Sequence, residues 1–133
     1  MIGLDTNVLV RYFTQDDPAQ AKQANRIIKR CSRKSPGYIN LVVLAELFWV
    51  LSSRYQYSRE QQVSLLRNML QLEDLILESP DQVYTALRLF KNHKIQLADC
   101  LIAVLNKQAG CEKTYTFDKQ AGKSAVPGVS SAC

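Results

Sequence analysis

The sequence predicts an α/β domain whose central, mainly parallel sheet of four to five strands is flanked by helices. Three observations carry this. Short β-prone stretches alternate with longer helical ones, so successive strands are joined by crossovers and lie parallel, covered on both faces. Several strand candidates run into a polar or acidic residue, at Asp5, Asn40 and Asp118, as strands do when their carboxyl ends face a ligand. Finally, 47% hydrophobic and 22% charged residues over a length of 133 supply the core of one folded domain, here expected over 1–133, without disulfide or metal staples.

The elements follow in order. Met1, Ile2 and Leu4 form a short apolar strand that gives way to Asp5, Thr6 and Asn7. Asp16 or Asp17 followed by Pro18 starts a helix expected to reach Lys34, because an acid caps and proline fits the first turn. Ser35, Pro36 and Gly37 break it, and "GYIN" is the second strand. "LVVLAELFWVLSSRY" is too long for a strand and lacks glycine and proline, so it reads as a largely buried helix. Ser58 with Gln61 resembles a capping box opening the next helix, to about Gln71. "DLILES" is the third strand, "PDQVYTALRLFKNH" a helix, and Leu97 to Ala109 another, stopped by Gly110. "KTYTFD" is the fourth strand. The tail after Gly122 carries no motif; it has room for one helical turn and a short edge strand around Val126.

Composition removes several classes of function. No apolar run approaches the roughly 20 residues that span a bilayer, and no basic segment followed by a long apolar one opens the chain, so a cytoplasmic protein without membrane attachment is expected. The four cysteines, Cys31, Cys100, Cys111 and Cys133, form no CxxC pair, and His93 is the sole histidine. Zinc hydrolysis and histidine-based phosphodiester cleavage therefore have little to work with, and no Gly-rich loop offers to cradle a nucleotide triphosphate. The net charge of +5 permits an anionic partner, and its placement is more telling. No acid stands between Asp17 and Glu46, whereas Lys22, Arg26, Lys29, Arg30, Arg33 and Lys34 all do. Such a run either tracks phosphates or forms a solvated helix face.

The acids point to chemistry. Asp5 and Asp118 each end a predicted parallel strand, so both belong to the same sheet edge. Glu46 lies on the helix leaving the second strand; at 100° per residue it shares a stripe with Val42, Val43, Trp49 and Val50, where a carboxylate is costly without a cation. Asp99 stands in the first turn of its helix, where the dipole favours its ionised form. Each acid alone has an ordinary use as a cap, a turn residue or an ion-pair partner. Together they form a set of hard oxygen ligands suited to Mg²⁺ or Mn²⁺, the donor set of metal-assisted phosphodiester hydrolysis. Thr6, Asn7, Thr116 and, more weakly, Asn40 would orient the carboxylates or water by hydrogen bonding.

At these residues the sequence resembles the PIN-domain ribonucleases, and among them the VapC toxins of bacterial type II toxin–antitoxin systems. The resemblance rests on "GLDTNVLVRYF", "LAELFWVL", "LADCLIA" and "TYTFDK", in that order and within this length. It implies a small α/β sandwich, a Mg²⁺-dependent acidic pocket, endonucleolytic cleavage of RNA, homodimerisation and inhibition by a cognate antitoxin. It places the family's four acids on Asp5, Glu46, Asp99 and Asp118, with metal contact firmest at Asp5 and Asp99 and most variable at Asp118. Arg11 and the stretch Lys22, Arg26, Lys29, Arg30, Arg33 and Lys34 would hold the RNA strand. Two other classes share the features so far: a non-catalytic RNA-binding domain of the same fold, and a DNA nuclease, for whose usual DNA-gripping additions this length leaves little room.

Overall fold

The computed structural model describes residues 1–118, 122 and 126–132, and among them six helices and five strands alternate as expected. Two compact units make up the chain, Met1–Pro80 and Asp81–Cys133. The first holds β1 (Ile2–Gly3), α1 (Thr6–Thr14), α2 (Pro18–Arg30), β2 (Gly37–Ile39), α3 (Leu41–Arg54), α4 (Arg59–Gln71) and β3 (Leu75–Leu77). Its three strands pair in parallel in the order β1-β2-β3. Helix α1 packs on α2 and α3, and α4 on β3. The second unit holds α5 (Pro80–Asn92, starting at the last residue of the first unit), α6 (Leu97–Gln108), β4 (Thr114–Thr116) and β5 (Val129–Ser131). Here β4 and β5 pair in parallel.

Local chemistry explains most boundaries. Asp17 accepts the Gln20 N–H at 3.1 Å, and Pro18 occupies the first turn of α2. Ser58 accepts the Gln61 N–H at 3.1 Å while the Gln61 side chain accepts the Ser58 N–H at 2.8 Å, closing the reciprocal box that opens α4. Gly110, at φ 98° just past α6, takes the left-handed conformation that a side chain would resist. In the central strand β2, a Cβ on Gly37 would stand 2.7 Å from Leu4 Cδ1 and 3.0 Å from both Cys31 Sγ and Leu75 Cδ2. Only a glycine lets these neighbours close over the strand.

Four expectations change. The strands that precede Asp5 and Asp118 belong to two sheets, β1-β2-β3 and β4-β5, and so do not share one sheet edge. Residues Thr6–Thr14 form a helix that the sequence reading did not place; β-branched Thr6, Val8 and Val10 lower helix propensity, but burial of Leu9 and Val10 outweighs it. Helix α2 stops at Arg30, where Cys31 turns extended, so Arg33 and Lys34 lie beyond it. The edge strand of the tail is Val129–Ser131, while Val126 is a buried loop residue. Most of the anticipated helical turn in the tail lies outside the described residues, as does Cys133. Cys31 and Cys111 are free thiols, the first buried and the second exposed, and Cys100 is buried. No helix among the described residues is long and apolar enough to cross a membrane.

Candidate active site

Asp5 stands one residue past β1, after Leu4, and occupies the position before α1, in extended conformation at φ −86° and ψ 160°. Its backbone carbonyl starts the helix by accepting the Leu9 N–H at 3.4 Å. Its exposed side chain makes no capping hydrogen bond, so the carboxylate is not spent on the helix it precedes. Beside it, Thr6 is buried, and its Oγ1 has no hydrogen-bond partner among the described residues. A buried hydroxyl left unbonded is costly. Asn7 is exposed on the next position of α1.

Asn40 ends β2 as Asp5 ends β1, yet its side chain has a different use. Its Oδ1 accepts the Val43 N–H at 2.8 Å and caps α3. Glu78, which follows β3, reaches back with Oε1 to the Leu41 N–H at 2.8 Å. The sequence reading missed Glu78, although it ends "LILE" by the same strand-then-acid pattern that singled out Asp5 and Asp118. Between them, Asn40 and Glu78 satisfy two of the open N–H groups at the start of α3.

Glu46 differs most from expectation. The buried side of α3 is Val43, Leu44, Leu47, Phe48 and Leu51. Glu46 is exposed, and so are its stripe neighbours Val42 and Trp49, at 77% and 52%. Phe48 is core, but Trp49 is not. In a helix apolar nearly all round, periodicity cannot say which side the sheet and neighbouring helices will cover. Burial therefore gives no reason for a cation at Glu46; its exposure leaves the carboxylate accessible to one.

In the second unit the structure brings two predicted acids into each other's field. Asp99 is half-buried in the first turn of α6. Burial pushes its carboxyl pKa up, and the negative charge of Asp118 pushes in the same direction, against a hydrogen bond within the turn at Gln96. Desolvation and like charge thus work against the ionisation that the helix dipole was expected to favour. Asp118 is exposed just after β4, and its N–H donates to Thr116 Oγ1 at 2.9 Å.

The basic residues divide. Arg11 donates through Nε to Gln20 Oε1 at 2.6 Å and through Nη1 to Asp16 Oδ1 at 3.3 Å and the Tyr55 hydroxyl at 3.2 Å. Tyr55 in turn donates to Asp16 Oδ2 at 2.6 Å. These bonds give Arg11 a structural role that the sequence reading had not foreseen. Lys22, Arg26, Lys29 and Arg30 are exposed on α2, which buries Ala21 and Ala24 instead. Of the two residues past the helix, Lys34 is exposed and Arg33 pairs with Glu73 at 3.7 Å in open solvent, where such a pair contributes little.

The four acids thus fall as Asp5 and Glu46 in the first unit and Asp99 and Asp118 in the second. Among the described residues, no group of three or more His, Cys, Asp or Glu forms a ready-made metal centre. The donor chemistry nonetheless fits a divalent ion. Within the second unit, two carboxylates under mutual repulsion suit such an ion; within the first, an uncommitted carboxylate precedes an orphaned hydroxyl. Residues 2–126 match the PIN-domain family. No curated protein matches the chain.

Proposed function

The chain belongs to the PIN-domain family, whose members are generally metal-dependent nucleases, and from that premise we propose that it is a Mg²⁺-dependent endoribonuclease acting as the toxin of a type II toxin–antitoxin pair. The observation that carries the nuclease reading is Asp99, half-buried in the field of Asp118. Two carboxylates in that relation are stabilised by a cation. Asp5, Glu46, Asp99 and Asp118 would hold Mg²⁺, or Mn²⁺, as the resemblance places them. A bound divalent ion supplies activated water and charge stabilisation of the departing oxygen in phosphodiester hydrolysis.

The chain's own residues do the rest. The Asp5 carboxylate, unused as a cap, is available as a ligand from a rigid strand end. Thr116 fixes the backbone at Asp118, and Thr6 offers its unbonded hydroxyl next to Asp5. The exposed cations of α2 hold the negatively charged strand. Because the acids repel phosphate by themselves, RNA engagement at the pocket depends on the ion.

The test is cleavage of single-stranded RNA, structured RNA and DNA with Mg²⁺ and with chelator. The expected result is RNA cleavage that chelator stops and Mg²⁺ restores. Asp5→Asn is expected to lower cleavage by at least about a hundredfold, the scale of losing a group that acts on the transition state, with an unchanged circular dichroism spectrum. Full activity from that variant would remove the central ligand; binding without cleavage would favour the RNA-binding reading, and cleavage of DNA alone the third. The toxin role and the expected homodimer rest on the resemblance. Growth arrest on expression, relieved by a co-expressed antitoxin, tests the former, and the mass in solution tests the latter.

A further inference from the structure

Between α1 and α2 lies an open groove of about 310 Å³, within the size range of small-ligand sites. It begins at Asn7, two positions after Asp5. Val8, Ala24 and Ile27 line it with apolar surface, while Asn7, Arg11, Gln20 and Gln23 bring amide and guanidinium groups to it. On the wheel of α2 the groove takes Gln20, Gln23, Ala24 and Ile27, whereas Lys22, Arg26 and Lys29 point to another side. Arg30 falls beside Gln23 on that wheel but does not line the groove, so the groove's own chemistry is planar hydrogen bonding over an apolar floor rather than charge alone.

We infer that this groove reads a guanine base of the RNA substrate, next to the cleavage site. The inference rests on the nuclease reading above and names a specificity site within it. Its core is the state of Arg11 and Gln20. The guanidinium is oriented by three hydrogen bonds through Nε and Nη1, which leaves Nη2 as a donor. Gln20 spends its Oε1 on Arg11, so its amide nitrogen is a donor as well. Two neighbouring donors on a pre-oriented pair match the two adjacent acceptors on the Hoogsteen edge of guanine; adenine presents a donor at one of those places and is rejected. No side-chain hydrogen bond engages Asn7 or Gln23 among the described residues, so both amides are free to meet the remaining edge or the sugar. A base splayed from a single strand, lying on an apolar surface and bonded along its edge, is the usual mode of sequence-specific RNA recognition.

The experiment uses the full chain, Mg²⁺ and single-stranded oligoribonucleotides randomised at their central positions, with cut sites mapped by sequencing. The wild type is expected to enrich guanine at one constant offset from the cut, by about tenfold, the scale of one good base-edge contact. Gln20→Ala and Arg11→Lys are expected to flatten that enrichment, checked alongside melting curves. Replacing the selected guanine by its deaza analogue, which lacks one Hoogsteen acceptor, is expected to lower kcat/KM for the wild type and to make no further difference for Arg11→Lys. Cleavage without base preference, or a preference that both folded variants retain, overturns this inference alone. Cleavage of no RNA at all overturns the nuclease reading, and this site with it.

Discussion

Asp16 shows how much one exposed acid can organise. The Tyr55 hydroxyl, the Thr14 hydroxyl and the Arg11 charge hold its carboxyl below the ordinary carboxylate pKa. A depressed native pKa means that the unfolded chain binds the proton first as pH falls. The contribution to stability is therefore complete above the unfolded pKa and disappears as pH drops through the lower native one. Tyr55→Phe is expected to lower Tm at neutral pH, with the gap closing in acid; an equal gap at every pH would show that the bond to Asp16 is not the cause. Asp99 has the opposite sign. Its raised pKa makes the ionised form a cost to the metal-free fold at neutral pH. Asp99→Asn is expected to melt higher without metal while losing Mg²⁺-dependent cleavage, a separation of stability from activity usual at strained sites. A lower Tm would mean that the Asp99 carboxylate supports the fold.

Among the elements, β2 and α3 are the most exacting. Gly37→Ala sets a methyl group against Leu4, Cys31 and Leu75 and is expected to cost about 1–3 kcal/mol, the range of overpacked cores. Asn40→Ala removes the cap of α3 and is expected to cost about 1 kcal/mol, whereas Asn40→Asp retains it. Denaturant titration measures both. These elements also show what the sequence made legible. Asp17–Pro18, Ser58–Gln61 and Gly110 announced their helix ends because the capping chemistry is local. Helix α1 was hidden because its β-branched residues argue against helix, and only tertiary burial of Leu9 and Val10 reverses that. The burial of Glu46 was misjudged because α3 is apolar on nearly every side. Glu78 was passed over because its partner, the Leu41 N–H, is supplied by a distant part of the chain.

At the scale of the molecule, the surface cations set the terms of RNA binding. Lys22, Arg26, Lys29 and Arg30 are exposed together on one helix. Affinity for single-stranded RNA is expected to fall with salt by about 0.7 logarithmic units per tenfold increase for each phosphate contacted. Replacing all four with Gln is expected to flatten that slope by up to about 3; an unchanged slope would place the RNA elsewhere. The exposed side of α3 has one more consequence. The chain contains a single tryptophan, and it stands half in solvent one turn beyond Glu46. Its indole is thus a built-in fluorophore at a candidate ligand position: a change in emission on titrating Mg²⁺, absent in Glu46→Gln, would report ion arrival without any label.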